Sequence, residues 1–174
     1  RRSFPGGEAN HCSKFIIGLD ISFERIFDNL TPMQLTALPA MADNYIWMLH
    51  NGSEAVVCDP GEAGPAIDAL RRQGLALAAI LVTHRHADHI GGVNTLYRQC
   101  GNPDTQVYLP AADGLADSTF SAVPARALQR CSHGDALQIL GLRVIVLDMP
   151  GHTAGHIAYF AERQSGLEQP FVLC

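Results

Sequence analysis

Positive charge is scarce in this 174-residue chain, where 12 Lys and Arg stand against 17 Asp and Glu for a formal charge of −5. No stretch clusters its basic residues as a phosphate-binding surface must, so a nucleic-acid partner is not expected. Cysteine is sparse and scattered: Cys12, Cys58, Cys100, Cys131 and Cys174 are odd in number and form no C-x-x-C. That excludes a disulfide framework and a cysteine zinc knuckle, and fits a reducing, cytoplasmic compartment. No uncharged apolar run approaches the roughly 20 residues of a membrane span, and the Arg1-Arg2 start lacks the apolar core and cleavage site of a signal peptide, so no membrane partner is expected. G-x-S-x-G is absent as well, which disfavours a serine nucleophile. What remains, 47% hydrophobic and 17% charged, suits one globular core.

Two regions differ in texture. Residues 1–32 read as an N-terminal extension, disordered or helical, with Phe15, Leu19, Phe23, Ile26, Phe27 and Leu30 at helical spacings before Thr31-Pro32. From Met33 to Cys174 the chain reads as one α/β domain. "QLTALPA" and "NYIWMLH" suit strands, and Asn51-Gly52 before "SEAVVCDP" marks a hairpin. "GPAIDALRRQG" carries Pro65 near its first turn and Gly74 just past its last, with Ile67 and Leu70 as the buried stripe of a short helix. The apolar run "LALAAILVT" suits a strand covered on both faces, followed by a second helix from about Gly92 to Cys100 and a strand at "QVYLP". Ala111 to Ala125 carries no decisive pattern. "DALQILGLRVIVLDMPGHTAGHIAYF" reads as consecutive strands with a turn at Gly141.

The chemistry is concentrated where two of these strands end. "THRHADH" places His84, His86, Asp88 and His89 within six residues. Side chains two apart on extended backbone share a face, so His84 and His86 can reach one point, while Asp88 and His89 open the next helix and serve an adjacent one. Imidazole and carboxylate suit zinc, and also iron or manganese. Gly91 and Gly92 remove bulk where backbone must pass close to such a centre. Downstream, "PGHTAGH" presents His152 in a Gly-flanked turn, able to complete a His₃ set of the catalytic-zinc kind. His11, His50, His133 and His156 read as ordinary hydrogen-bonded surface or core histidines, and Cys58, Cys100 and Cys131 as packing residues.

These residues resemble a known family. "THRHADH" with "GHTAGH" is similar to the metallo-β-lactamase superfamily, and "MQLTALPAMADNYIWML" with "VVCDPGEAGP" resembles the start of glyoxalase II, hydroxyacylglutathione hydrolase. The resemblance covers Met33 to Cys174. It implies a four-layer αβ/βα sandwich with two metal ions, zinc foremost, in a cleft at one edge. His84, His86 and His152 would hold the first ion, and Asp88 and His89 the second, with Asp88 also orienting the nucleophile. The implied reaction is hydrolysis of a glutathione thioester, S-D-lactoylglutathione, to glutathione and D-lactate. In that family the strand matching "PFVLC" leads into a G-D-T turn with a bridging Asp, then a further His ligand and a glutathione-holding helical region. Those parts would follow Cys174, so the sandwich is expected to be incomplete at its C-terminus and turnover by these residues alone to be weak. A lactonase, a β-lactamase, a one-iron persulfide dioxygenase or a metal-binding fragment without turnover are the alternatives.

Overall fold

The structure, a computed structural model, describes residues 32–174. The expected helix between Lys14 and Leu30, His11 and Cys12 lie outside the described residues.

The first two stretches read as strands pair with each other. β1 (Gln34–Ala40) and β2 (Asn44–His50) are antiparallel, Gln34 facing His50 and Ala40 facing Asn44. β3 (Glu54–Cys58) returns along β2 through the expected turn. Gly52 takes φ 89°, and Asn51 Oδ1 accepts the Ser53 and Glu54 N–H groups at 3.0 and 2.8 Å. An amide side chain and a glycine thus supply what a tight turn needs.

Connections then become crossovers. α1 (Gly64–Gln73) leads to β4 (Ala76–Leu81); α2 (Ala87–Ile90) and α3 (Val93–Cys100) lead to β5 (Gln106–Pro110). α1 buries Ala66, Ile67, Ala69 and Leu70 and ends at Gly74 in the left-handed region, φ 67°, as the Pro65 and Gly74 punctuation predicts. The indecisive stretch after β5 holds a 3₁₀ turn, Asp117–Phe120, and a second, Ala125–Ala127, leads into β6 (Leu128–Cys131). Asn94 secures this stretch to α3, donating to Thr119 O at 2.8 Å and accepting from Ala122 N at 3.0 Å. The six strands lie in chain order in one sheet, antiparallel from β1 to β3 and parallel from β3 to β6.

A second, antiparallel sheet contains β7 (Ala136–Ile139), β8 (Leu142–Asp148), β9 (Ile157–Ala161) and β10 (Phe171–Leu173), ordered β10-β9-β8-β7. Leu140 and Gly141, at φ 51° and 79°, form the predicted turn between β7 and β8. β4 shows why its sequence lacks alternation. It sends Leu77 and Ile80 into a core shared with Ile67, Leu70 and Leu96, and Ala79 and Leu81 into a core shared with Val144, Val146 and Tyr159 of the second sheet. Tyr159, fully buried, donates its hydroxyl to Val82 O at 2.9 Å and ties the sheets together. Three layers of the expected four are therefore present among the described residues: helices, six-stranded sheet and four-stranded sheet.

Candidate metal centre

The T-H-x-H-x-D-H and G-H-T-A-G-H segments meet at one edge of the sandwich, where β3, β4 and β8 end. Ligand sites in open α/β sheets form beyond the carboxyl ends of parallel strands, because backbone there is free to turn toward a ligand. Asp59 follows β3 at φ 52°, with its N–H donated to Leu81 O at 2.9 Å, so the loop after β3 is bound to β4. Two glycines allow that loop to lie on α2. A Cβ on Gly61 would fall 1.9 Å from Asp88 O, and one on Gly92 would fall 2.4 Å from Glu62 C. Gly92 and Gly91, whose Cβ would meet Gly61 O at 2.6 Å, thus make room for the loop after β3, whereas the sequence suggested close passage at the centre itself.

One ligand-type nitrogen from each of His84, His86 and His152 lies within 4.8 Å of the others. Three nitrogens bound at about 2.0–2.1 Å to a tetrahedral zinc would be about 3.3 Å apart, within that spread. His84 is buried, and its Nε2 has no hydrogen-bond partner. Its Nδ1 lies 3.0 Å from Thr83 Oγ1, which donates to Asp59 Oδ2 at 2.7 Å. Since that hydroxyl's proton is committed to the carboxylate, Thr83 accepts from His84 Nδ1–H and leaves Nε2 as a lone pair facing the centre. A buried, unpartnered acceptor held in this tautomer is what a metal ligand requires. His86 Nδ1 and His152 Nε2 stand 2.9 Å apart from opposite loops. The residues present therefore fit a metal ion.

Asp88 and His89 lie beside this triad. His89 Nδ1 is 3.0 Å from Asp59 Oδ2 and its Nε2 is 3.4 Å from Asp88 Oδ2, while its ring centroid is 4.0 Å from that of His84. Asp88 is half exposed and receives the Asn44 amide at 3.3 Å. The arrangement suits a second, more open cation position adjoining the first.

The Metallo-beta-lactamase superfamily profile matches residues 43–167, which contain all five of these residues. The chain belongs to the metallo-beta-lactamase superfamily. It is 45% identical over 142 residues to the hydroxyacylglutathione hydrolase of Albidiferax ferrireducens, an alignment covering 82% of this chain and 50% of that protein. The hydroxyacylglutathione hydrolase of Xanthomonas campestris pv. campestris is 42% identical over 131 residues, 75% of this chain and 47% of that one. The chain thus spans about half the length of the curated relatives it matches. Among solved structures, the BLEG-1 B3 metallo-beta-lactamase superposes with a TM-score of 0.58 at 29% identity, covering 74% of this chain and 68% of that one. ETHE1 from Myxococcus xanthus superposes at 0.57 with 23% identity, covering 74% and 53%. Both show the same fold.

Within this superfamily frame, sequence reasoning missed three residues and placed a fourth elsewhere. Asp59, Asn44 and Asp113 carry no ligand spacing, yet all three point carboxylate or amide groups at the histidine loops. His156, expected to be an ordinary hydrogen-bonded histidine, has its ring centroid 4.7 Å from that of His84, and its buried Nε2 has no partner. His133 does accept the Asp148 N–H at 3.1 Å, as expected of a surface histidine, whereas His50 is buried with Nδ1 unpartnered.

Electrostatics follow the geometry. Burial, helped by the neighbouring His89, lowers His84 to about 4, so its lone pair is available across the neutral range. Burial alone would lower His89 too, but the Asp59 carboxylate 3.0 Å from its Nδ1 and the nearby Asp88 raise it overall. Burial drives the Cys58 thiol well above its usual range and Cys131 to about 11, consistent with packing and not with nucleophilic roles.

Proposed function

We propose that this chain carries the metal-binding part of a hydroxyacylglutathione hydrolase, acting on S-D-lactoylglutathione to release glutathione and D-lactate in methylglyoxal detoxification. The observation that carries metal-dependent hydrolysis is the convergence of His84, His86 and His152 from two loops, with a lone pair of buried His84 turned inward. The glutathione thioester rests on the names of the relatives at 42–45% identity. Met33 to Cys174 is the proposed domain, preceded by the extension 1–32.

Zinc, with iron or manganese as its rivals, would be held by His84, His86 and His152, and a second ion would adjoin Asp88 and His89. When bound, such an ion supplies Lewis acidity and lowers the pKa of water from 15.7 toward about 7. The protein's own part is positioning. Asp88, steadied by Asn44, accepts a hydrogen bond from the attacking water and aims its lone pair at the thioester carbon. Water adds to the carbonyl carbon as its proton passes to Asp88, the C–S bond breaks, and the sulfur leaves as a thiolate whose conjugate thiol has a pKa near 8.5, the proton then returning to solvent. No separate general acid is required for so good a leaving group.

The test is hydrolysis by the zinc-loaded chain of S-D-lactoylglutathione, a simple lactone and a β-lactam, each before and after chelation. Chelator-sensitive turnover of the thioester above the other two supports the proposal. Chelator-sensitive turnover confined to the lactone or the β-lactam refutes the thioester assignment, and oxygen uptake with glutathione persulfide by the iron-loaded chain would replace hydrolysis with dioxygenase chemistry.

A further inference from the structure

We propose that Asp113 is a positioning residue, a carboxylate clamp that holds the two histidine loops at the spacing a single metal ion needs. It lies in the stretch after β5 that the sequence leaves without a pattern, and it is buried, 1% exposed. Its two oxygens divide between the loops. Oδ2 accepts the Arg85 N–H at 2.6 Å, and Oδ1 accepts the Gly155 N–H at 3.1 Å. Arg85 stands between His84 and His86, and Gly155 between His152 and His156.

Both donors are backbone groups, so neither bond survives a shift of its loop, whatever rotamers the side chains adopt. The approach is also sterically selected. A Cβ on Gly155 would fall 2.4 Å from Ala112 C and from Asp113 N, so backbone meets backbone there. Ile157 N donates to Thr83 O at 3.1 Å and joins the loops at their bases, which leaves the imidazole-bearing turns to the carboxylate. Burial opposes ionisation of Asp113, yet the nearby Thr153 hydroxyl, the two N–H groups and the Arg85 guanidinium together hold its carboxyl below the usual range. The clamp is thus anionic at neutral pH, when charge-assisted bonds to N–H groups are strongest.

The consequence concerns metal affinity. His84 and His86 come from one loop and His152 from the other, so an ion that takes all three must otherwise order the loops against each other. Partners that orient metal ligands from outside the coordination sphere commonly contribute about 10–100-fold in affinity. This inference rests on reading the three imidazoles as a metal site.

The experiment measures Zn²⁺ dissociation constants by competition with a chromophoric chelator, for wild type, Asp113→Asn, His152→Ala and the double variant. Asparagine keeps the size but offers one acceptor oxygen and presents an N–H₂ group to the other donor. Expected is a 10–100-fold weaker Kd for Asp113→Asn and no further loss when it is added to His152→Ala, because the clamp acts through His152. An unchanged Kd, or the same loss in both backgrounds, overturns the clamp. Hydrogen exchange of the metal-free wild type gives an independent reading that no misfolded variant can obscure. Arg85 and Gly155 amides should be protected together, and a Gly155 amide exchanging at the rate of an open loop overturns the clamp. Failure of wild type to bind Zn²⁺ would instead remove the metal reading and leave exchange to decide the clamp.

Discussion

His89 Nδ1 lies 3.0 Å from Asp59 Oδ2, although the two residues are separated by α1 and β4. The same carboxylate accepts the Thr83 N–H at 2.8 Å and the Thr83 hydroxyl at 2.7 Å, so the end of β3 orients both His89 and, through Thr83, His84. Asp59→Ala leaves the buried Thr83 N–H and hydroxyl without an acceptor and removes the carboxylate beside His89 Nδ1. At about 1–3 kcal/mol for each orphaned buried group, partly relieved by water, the expected loss is about 2–4 kcal/mol in urea unfolding. Asp59→Asn should lose less, since asparagine tolerates the φ of 52° and retains one acceptor. A loss under about 1 kcal/mol for the alanine variant would refute the organising role of this carboxylate.

Metal removal should separate the two adjoining positions. Three imidazoles converge on one, whereas the other has Asp88, half exposed, and His89. Elemental analysis is expected to find one tightly held Zn²⁺ per chain, with a second equivalent lost to a weak chelator. His84→Ala combined with His86→Ala should abolish the tight site. Unchanged metal content in that variant would show that the ligands lie elsewhere.

Gly61 and Gly64 form a matched pair. A Cβ at Gly61 would collide with the Asp88 carbonyl at 1.9 Å, whereas one at Gly64 meets nothing within 4 Å. Gly61→Ala is expected to cost about 1–3 kcal/mol and to displace α2. Gly64→Ala should be neutral or slightly stabilising. Equal melting temperatures for both variants would mean that the loop after β3 does not press on α2.

Stability of the metal-free protein should fall with acidification. Burial lowers His84 to about 4 and also lowers His156, while unfolded imidazoles take up protons near 6.5. Between those values the unfolded state binds more protons at these two residues, so their contribution is full above about 6.5 and lost as pH falls toward 4. His89, raised by Asp59 despite its burial, has the opposite sign: its contribution is present below about 6.5 and lost as pH rises through its folded value. With two groups against one and the large shift on His84, the melting temperature is expected to be lower at about pH 5 than at about pH 7. Equal or higher values at pH 5 would contradict this balance.

The legible parts of this protein are those whose cause is local. The chain turns at Gly52 and at Gly141 because each glycine takes a positive φ, and α1 starts and stops where Pro65 and Gly74 make it do so. The apolar run of β4 announced a strand covered on both sides. His84, His86, Asp88, His89 and His152 stood out because tight spacing at strand ends is itself a chemical pattern. The organising groups left no such trace. Asp59, Asn44 and Asp113 reach the histidine loops only across crossovers, and four of the donors they satisfy or supply are a backbone N–H or an amide, which no residue spacing advertises. His156 shares its motif with His152, and its sequence could not separate a surface histidine from one packed beside His84. Composition and period therefore determined the strands, the turns and the candidate ligand types, because those depend on neighbours along the chain. The tautomer of His84, the orientation of His89 and the separation of the two loops were decided by tertiary structure, because each depends on a carboxylate brought in from a distant segment: Asp59 holding Thr83 and lying 3.0 Å from His89 Nδ1, and Asp113 receiving N–H groups from both loops.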